Sequence, residues 1–136
     1  MKKYVYKLTF YKIYEEGRDD FEIGFFSSRD KAKEVQEYYA TNVLGFKDTL
    51  NGEYEIKEIE IEKTNSTNKY YYIEAWNEDE FDFNVDMVMS KIYPTEEEAK
   101  KDYNQFVALH KRQQCELTFF EVDHCYWEEG FVTYYN

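Results

Sequence analysis

The chain has 136 residues, with 29 acidic against 17 basic side chains and a formal net charge of -12. That is one compact domain or two very small ones, and a chain of this length buries roughly 70% of its unfolded surface, so a core needs neither metal nor disulfide. With 43% hydrophobic and 34% charged residues, one proline and five glycines, it is neither disordered nor collagen-like, and the acidic excess excludes general affinity for DNA, RNA or anionic lipid, which rests on Lys and Arg displacing counterions.

Residues Tyr4 to Phe10 alternate, placing Tyr4, Tyr6, Leu8 and Phe10 on one face of a first strand. The polar stretch from Glu15 to Asp20 turns the chain, and Phe21, Ile23 and Phe25 alternate in a second strand. Ser27 with Asp30 fits a capping box, and Ala32, Val35 and Tyr39 supply the apolar stripe of a helix from about 29 to 43. After Gly45 and the Asn51-Gly52 turn, Tyr54 to Ile61 reads as a third strand, with a phase change at Lys57-Glu58 expected to be a bulge. The unit is ββαβ and spans residues 1–63. The polar run Lys63 to Asn68 marks a linker, taken as residues 64–68.

The pattern then recurs over residues 69–136. A shift of 67 positions sets Tyr4, Tyr6 and Leu8 against Tyr71, Ile73 and Ala75, Phe25-Phe26 against Ile92-Tyr93, Ser28 against Thr95, Ala32 against Ala99 and Tyr39 against Phe106. Thr95 with Glu98 repeats the capping box, and Ala99, Tyr103, Phe106, Val107 and His110 come after it at helical spacing. A shorter loop leads to a strand in which Leu117, Phe120 and Val122 match Ile56, Ile59 and Ile61. Cys125 to Tyr135 adds an apolar segment, a glycine turn and a further strand, closing or extending the sheet. The expected fold is α+β: tandem duplicated ββαβ units, mainly antiparallel sheets, one helix on one face of each, and an added C-terminal strand.

Ile23-Gly24-Phe25-Phe26-Ser27-Ser28, Gly45-Phe46 and Trp127-Glu128-Glu129-Gly130-Phe131-Val132 together resemble a family of small uncharacterised bacterial domains. Their pattern is I-G-x-[YF]-S-S before a helix, G-F after it and W-x-E-G-F-V at the end. The resemblance implies the fold and a bacterial or phage origin. It implies no chemistry, and here its parts are split between the two halves.

Few residues invite catalysis. Cys115, His124 and Cys125 are the only Cys/His set in the second half besides His110, but they lack a C-x2-C knuckle, and adjacent His124 and Cys125 would face opposite ways on a strand. Packed thiols and a surface imidazole are expected, and no metal or cofactor. His110, beside Lys111 and Arg112, complements the dipole at a helix C-terminus. No phosphate loop, dinucleotide fingerprint, G-x-S-x-G elbow or H-E-x-x-H occurs, so an enzyme is not expected.

Two features stand out instead. Aromatic residues, 15 Tyr, 11 Phe and 2 Trp, exceed what a small core needs, and Tyr suits both half-exposed strands and protein interfaces. Charge is lopsided: residues 1–67 hold 11 basic and 14 acidic groups, residues 68–136 hold 6 and 15. The run from Glu74 through Glu78, Asp79, Glu80, Phe81, Asp82, Phe83 and Asp86 contains no base and interleaves apolar anchors with acids, as a hot spot with a charged rim does. A non-catalytic acidic module is therefore expected, binding a protein with a basic surface through Glu78, Asp79, Glu80, Phe81, Asp82, Phe83 and Asp86, as an accessory, inhibitor or immunity-type factor. Alternatives are an acidic nucleic-acid mimic that inhibits a nucleic-acid-binding enzyme, and a small enzyme with a concave site of perturbed titratable groups. No direct nucleic-acid or membrane partner is expected, whereas exposed edges permit a homodimer by strand pairing. Met1-Lys2-Lys3 resembles a secretory n-region, but Lys7 and Lys12 interrupt the residues beyond it, so a cytoplasmic location is expected.

Overall fold

Backbone pairing in each half arises from the alternation of its apolar residues, and the computed structural model describes it for residues 3–15, 17–76 and 88–132. β1 (Lys3–Tyr14), β2 (Gly17–Phe26), α1 (Arg29–Asn42) and β3 (Gly52–Ile61) form the first ββαβ unit. β4 (Lys69–Trp76), β5 (Val88–Met89), α2 (Glu96–Leu109) and β6 (Gln114–Glu121) form the second. Each unit is a three-stranded antiparallel sheet with its first strand in the centre, in the orders β2-β1-β3 and β5-β4-β6. The fold is α+β, as expected. Among the described residues no helix is long and apolar enough to cross a membrane.

Both helices are 14 residues long, and their N-caps, Ser28 and Thr95, sit 67 positions apart. Ser28 Oγ accepts from the Lys31 amide at 3.0 Å and Thr95 Oγ1 from the Glu98 amide at 3.2 Å, each satisfying one orphan donor of the first turn. The first cap is thus Ser28 rather than Ser27. Ser27 is engaged elsewhere: its amide and its hydroxyl donate to the two oxygens of Asp123, each at 2.8 Å.

The sheets stand back to back, with a helix outside each. On β1, Leu8 and Phe10 join Ala32 and Tyr39 of α1 in one cluster, while Val5, on the opposite face, joins Tyr70, Tyr72 and Phe120 of the second sheet in another. The outer face of the second sheet, with Ile73 and Leu117, packs against Ala99, Tyr103 and Phe106 of α2. Four layers result: helix, sheet, sheet, helix. A strand buried on both sides loses its simple alternation, which corrects two sequence readings.

The phase change in β3 is not a bulge. Its register with β1 runs unbroken from Lys3↔Ile61 to Lys12↔Gly52. Tyr54 and Ile56 pack toward α1, whereas Ile59 and Ile61 pack toward the second sheet, so the burial changes face while the backbone stays regular. The irregularity lies in β2, where Leu8 pairs with Gly24 but Thr9 with Glu22, leaving Ile23 as the extra residue. Phe21 and Ile23 therefore pack toward α1 while Phe25 packs between the sheets, instead of all three sharing one face.

The stretch after β6, assigned with the second unit by sequence order, returns to the first. Asp123 and Tyr126 donate amide hydrogens to the carbonyls of Phe25 and Ile23, each at 2.8 Å, extending the edge of β2. Further on, the Phe131 amide donates to Leu44 O at 3.0 Å. Phe131 stacks on Phe21 with centroids 4.4 Å apart and meets Phe46 edge-on at 4.9 Å.

Candidate functional site: the cleft between the sheets

Alternation on β4 puts Tyr70, Tyr72 and Glu74 on the inner face of the second sheet, opposite Phe120, Thr118 and Glu116 of β6. Phe25 stacks on Phe120 at 3.9 Å and joins the two sheets. The bulge at Ile23 puts Glu22 opposite Thr9 on the same inner face as Phe25, where Lys7 Nζ lies 3.0 Å from its Oε1 and the Tyr72 hydroxyl donates to its Oε2 at 3.0 Å. Glu22 is thus held from two sides. Glu74 is not: its Oε2 is shut off from solvent and has no hydrogen-bond partner.

Glu22, Phe25, Tyr72, Glu74, Thr118 and Phe120 line a cleft of about 230 Å³, together with Tyr126 and Trp127 from the returning C-terminal stretch. Trp127 is not a buried anchor: it remains 46% exposed and touches Phe21 edge-on at 4.8 Å. Its φ of 62° lies in the left-handed region, as does that of Asp123 at 65°. Non-glycine residues are held there only when their surroundings demand it. At Asp123 the demand comes from the paired bonds to Ser27. At Trp127 the neighbours are fixed, with the Tyr126 amide on Ile23 O and the Tyr39 hydroxyl donating to Tyr126 O at 2.7 Å.

The electrostatics of the cleft are unbalanced. Burial first, then the neighbouring Glu22 carboxylate and the cross-strand Glu116, push Glu74 up to about 7 against the lowering pull of Lys7. Burial, with Glu22 and Glu74 behind it, also raises the Tyr72 phenol far above its usual value, so it stays a donor. A carboxyl whose folded pKa exceeds its unfolded one binds its proton more tightly in the native state, so stability falls as pH rises from about 4.5 through about 7. Allowing for screening at a partly open site, the ionised form costs on the order of 1–2 kcal/mol. Glu74→Gln should accordingly raise the unfolding free energy at pH 8 and leave it nearly unchanged at pH 5. Urea titrations at the two pH values check this, and an equal shift at both would place the carboxylate in water.

Glu78, Asp79, Glu80, Phe81, Asp82, Phe83 and Asp86, singled out by the sequence, belong to the stretch joining β4 to β5 and lie outside the described residues. Glu74, at the head of the same acidic run and within the described residues, lines the cleft. Cys115 and Cys125 are free thiols in separate places. Cys115 sits on β6, its carbonyl accepting from the Tyr103 hydroxyl of α2 at 3.4 Å. Cys125 packs into the first core beside a second cavity of about 540 Å³ under α1, and burial, then Glu128, raise its thiol pKa. His124 is exposed and meets Tyr126 edge-on at 4.6 Å. His110 caps the end of α2, with Nδ1 2.7 Å from Gln113 Oε1. Among the described residues no group of three His, Cys, Asp or Glu side chains is placed to hold a metal ion. The chain matches no family model, no curated protein and no solved structure.

Proposed function

We propose that the protein is a non-catalytic acidic binding module that recognises a partner protein with a basic surface through aromatic and acidic side chains centred on the inter-sheet cleft. That chemistry suits an accessory, inhibitor or immunity-type role. The observation that carries the reading is the Glu74 oxygen, buried without a hydrogen-bond donor in a cleft with aromatic walls. A buried acceptor left unpaired is costly, and once the Glu74 carboxyl turns into the cleft it lines, a basic side chain from a partner supplies the missing donor and charge together. Glu116, directly across from Glu74, adds a like charge that a cation relieves. The acidic run Glu78, Asp79, Glu80, Asp82 and Asp86, with Phe81 and Phe83, supplies a steering field and further anchors.

Fluorescein-labelled nonapeptides of alternating glycine and arginine, glycine and lysine, or glycine and glutamine test this reading by anisotropy. The basic peptides should bind the full chain with salt-sensitive affinity and the glutamine peptide should not. Glu74→Gln, which does not weaken the fold, should lower the affinity at least tenfold, and the triple variant Glu80→Lys, Phe81→Ala, Asp82→Lys should lower it further. Equal binding of basic and neutral peptides, or unchanged affinity in Glu74→Gln, would sink the proposal.

A catalytic reading draws on the same cleft, because two carboxyl groups in unlike surroundings, Glu74 pushed up to about 7 by burial and Glu22 paired with Lys7, are the arrangement of an acid–base pair. It requires turnover of a bound compound that Glu74→Gln abolishes; binding lost in Glu74→Gln without any turnover by the unaltered protein favours the binding module.

A further inference from the structure

Among the described residues, the inter-sheet cleft is a cavity whose shape and charge specify a ligand. We propose that it is a receptor for a single arginine side chain, with the guanidinium paired to Glu74 and stacked among the aromatic residues at the cleft. The inference rests on the binding reading above and narrows it to one chemical group.

Size comes first. At about 230 Å³ the cleft is smaller than the roughly 300–1,000 Å³ of pockets for drug-sized ligands, and it suits one side-chain tip. Charge comes second. Glu22 and Glu74 line the cleft while Lys7 is taken up by Glu22, so among the described residues the Glu74 carboxylate has no cation of its own. Surface shape decides between the basic side chains. Aromatic residues prevail in its lining, with Phe25, Tyr72 and Phe120 from the inner sheet faces and Tyr126 and Trp127 from the returning stretch. A guanidinium is planar and weakly hydrated, stacks on rings, and presents a two-pronged donor face to a carboxylate. An ammonium is a strongly hydrated point charge that gains less from such walls. The left-handed backbone of Trp127, held by the hydrogen bonds of Tyr126, fixes this residue at the cleft lining before any ligand arrives.

The groups facing Glu74 give the site a pH response. Glu22 and Glu116 favour its protonated form, Lys7 opposes them, and the Tyr72 phenol stays neutral. Arginine affinity should rise with pH through about 7 as Glu74 ionises.

N-acetyl-L-arginine methylamide and N-acetyl-L-lysine methylamide, titrated into the full chain and monitored by amide NMR shifts and tryptophan fluorescence, provide the test. At pH 8 the arginine compound should bind at least tenfold more tightly than the lysine compound, shifting amides of Glu22, Tyr72 and Trp127. That affinity should fall at least tenfold at pH 5.5 and in Glu74→Gln, and Trp127→Leu should weaken it with little loss of folded protein. Equal affinity for the two compounds, lost in Glu74→Gln, would overturn the guanidinium assignment while leaving the basic-partner reading intact. No binding of either compound, with the basic peptides still held and sensitive to Glu74→Gln, would overturn it too. Arginine binding unchanged in Glu74→Gln would overturn both.

Discussion

Phe120→Ala is expected to lower the unfolding free energy by about 3–5 kcal/mol, the range for deleting a buried aromatic side chain. Phe120 is 1% exposed, stacks on Phe25 across the sheets at 3.9 Å, and contacts Tyr70 and Tyr72 at 5.8 and 6.0 Å. A domain of this size has roughly 5–15 kcal/mol in total, so the variant should lose about a fifth of it or more. Phe119→Ala is the matched control. It lies next in sequence, points to the outer face, and is 49% exposed, so its loss should stay near 1 kcal/mol. Urea unfolding measures both, and because Val5, Phe25 and Ile61 share one cluster with Tyr70, Tyr72 and Phe120, the transition should be single. Similar small losses for the two variants, or two separate transitions, would show that the sheets do not share a core.

The sequence carries that stacked arrangement only in part. Setting Phe25-Phe26 against Ile92-Tyr93 already pairs residues by face: Phe25 and Ile92 both pack between the sheets, while Phe26 and Tyr93 pack toward their own helices. The two capping boxes mark helices of equal length for a local reason, an oxygen at the N-cap that is readable without tertiary contacts. What a period-two pattern cannot show is burial on both sides of one strand. In β3 that burial mimics a bulge, and in β2 the true bulge mimics regular alternation, because Phe21, Ile23 and Phe25 are all apolar whichever way they point.

The cleft is harder to read for the same reason. Glu74 stands between Tyr72 and Trp76 at inward positions of β4, and a carboxylate in an aromatic row is the signal that marks it. In the sequence it merges instead with the acidic run beyond β4. Glu22 gives no signal, since its inward direction depends on the bulge. The Trp127 seam is visible as motif but not as contact. Residues far apart in sequence converge there: Ser27 bonds Asp123, and Phe46 meets Phe131.

Gly130→Ala should be the most damaging single methyl at that seam, at about 2–4 kcal/mol. Gly130 has φ +75°, where an L side chain costs roughly 1–2 kcal/mol, and its added Cβ would run into the backbone of Leu44. Relief requires moving Gly130 away from Leu44, which breaks the bond from the Phe131 amide to Leu44 O and unstacks Phe131 from Phe21. Glu129→Ala, exposed and one residue earlier, should stay within about 0.5 kcal/mol. The consequence reaches the cleft, because Trp127 lies three residues upstream, and Gly130 N donates to Trp127 O at 2.9 Å. Loosening this turn should release the indole from its left-handed backbone and weaken arginine binding in whatever protein remains folded. Urea unfolding together with arginine titration measures both effects; a Gly130→Ala protein as stable as Glu129→Ala would mean that the C-terminal stretch does not clasp the first sheet.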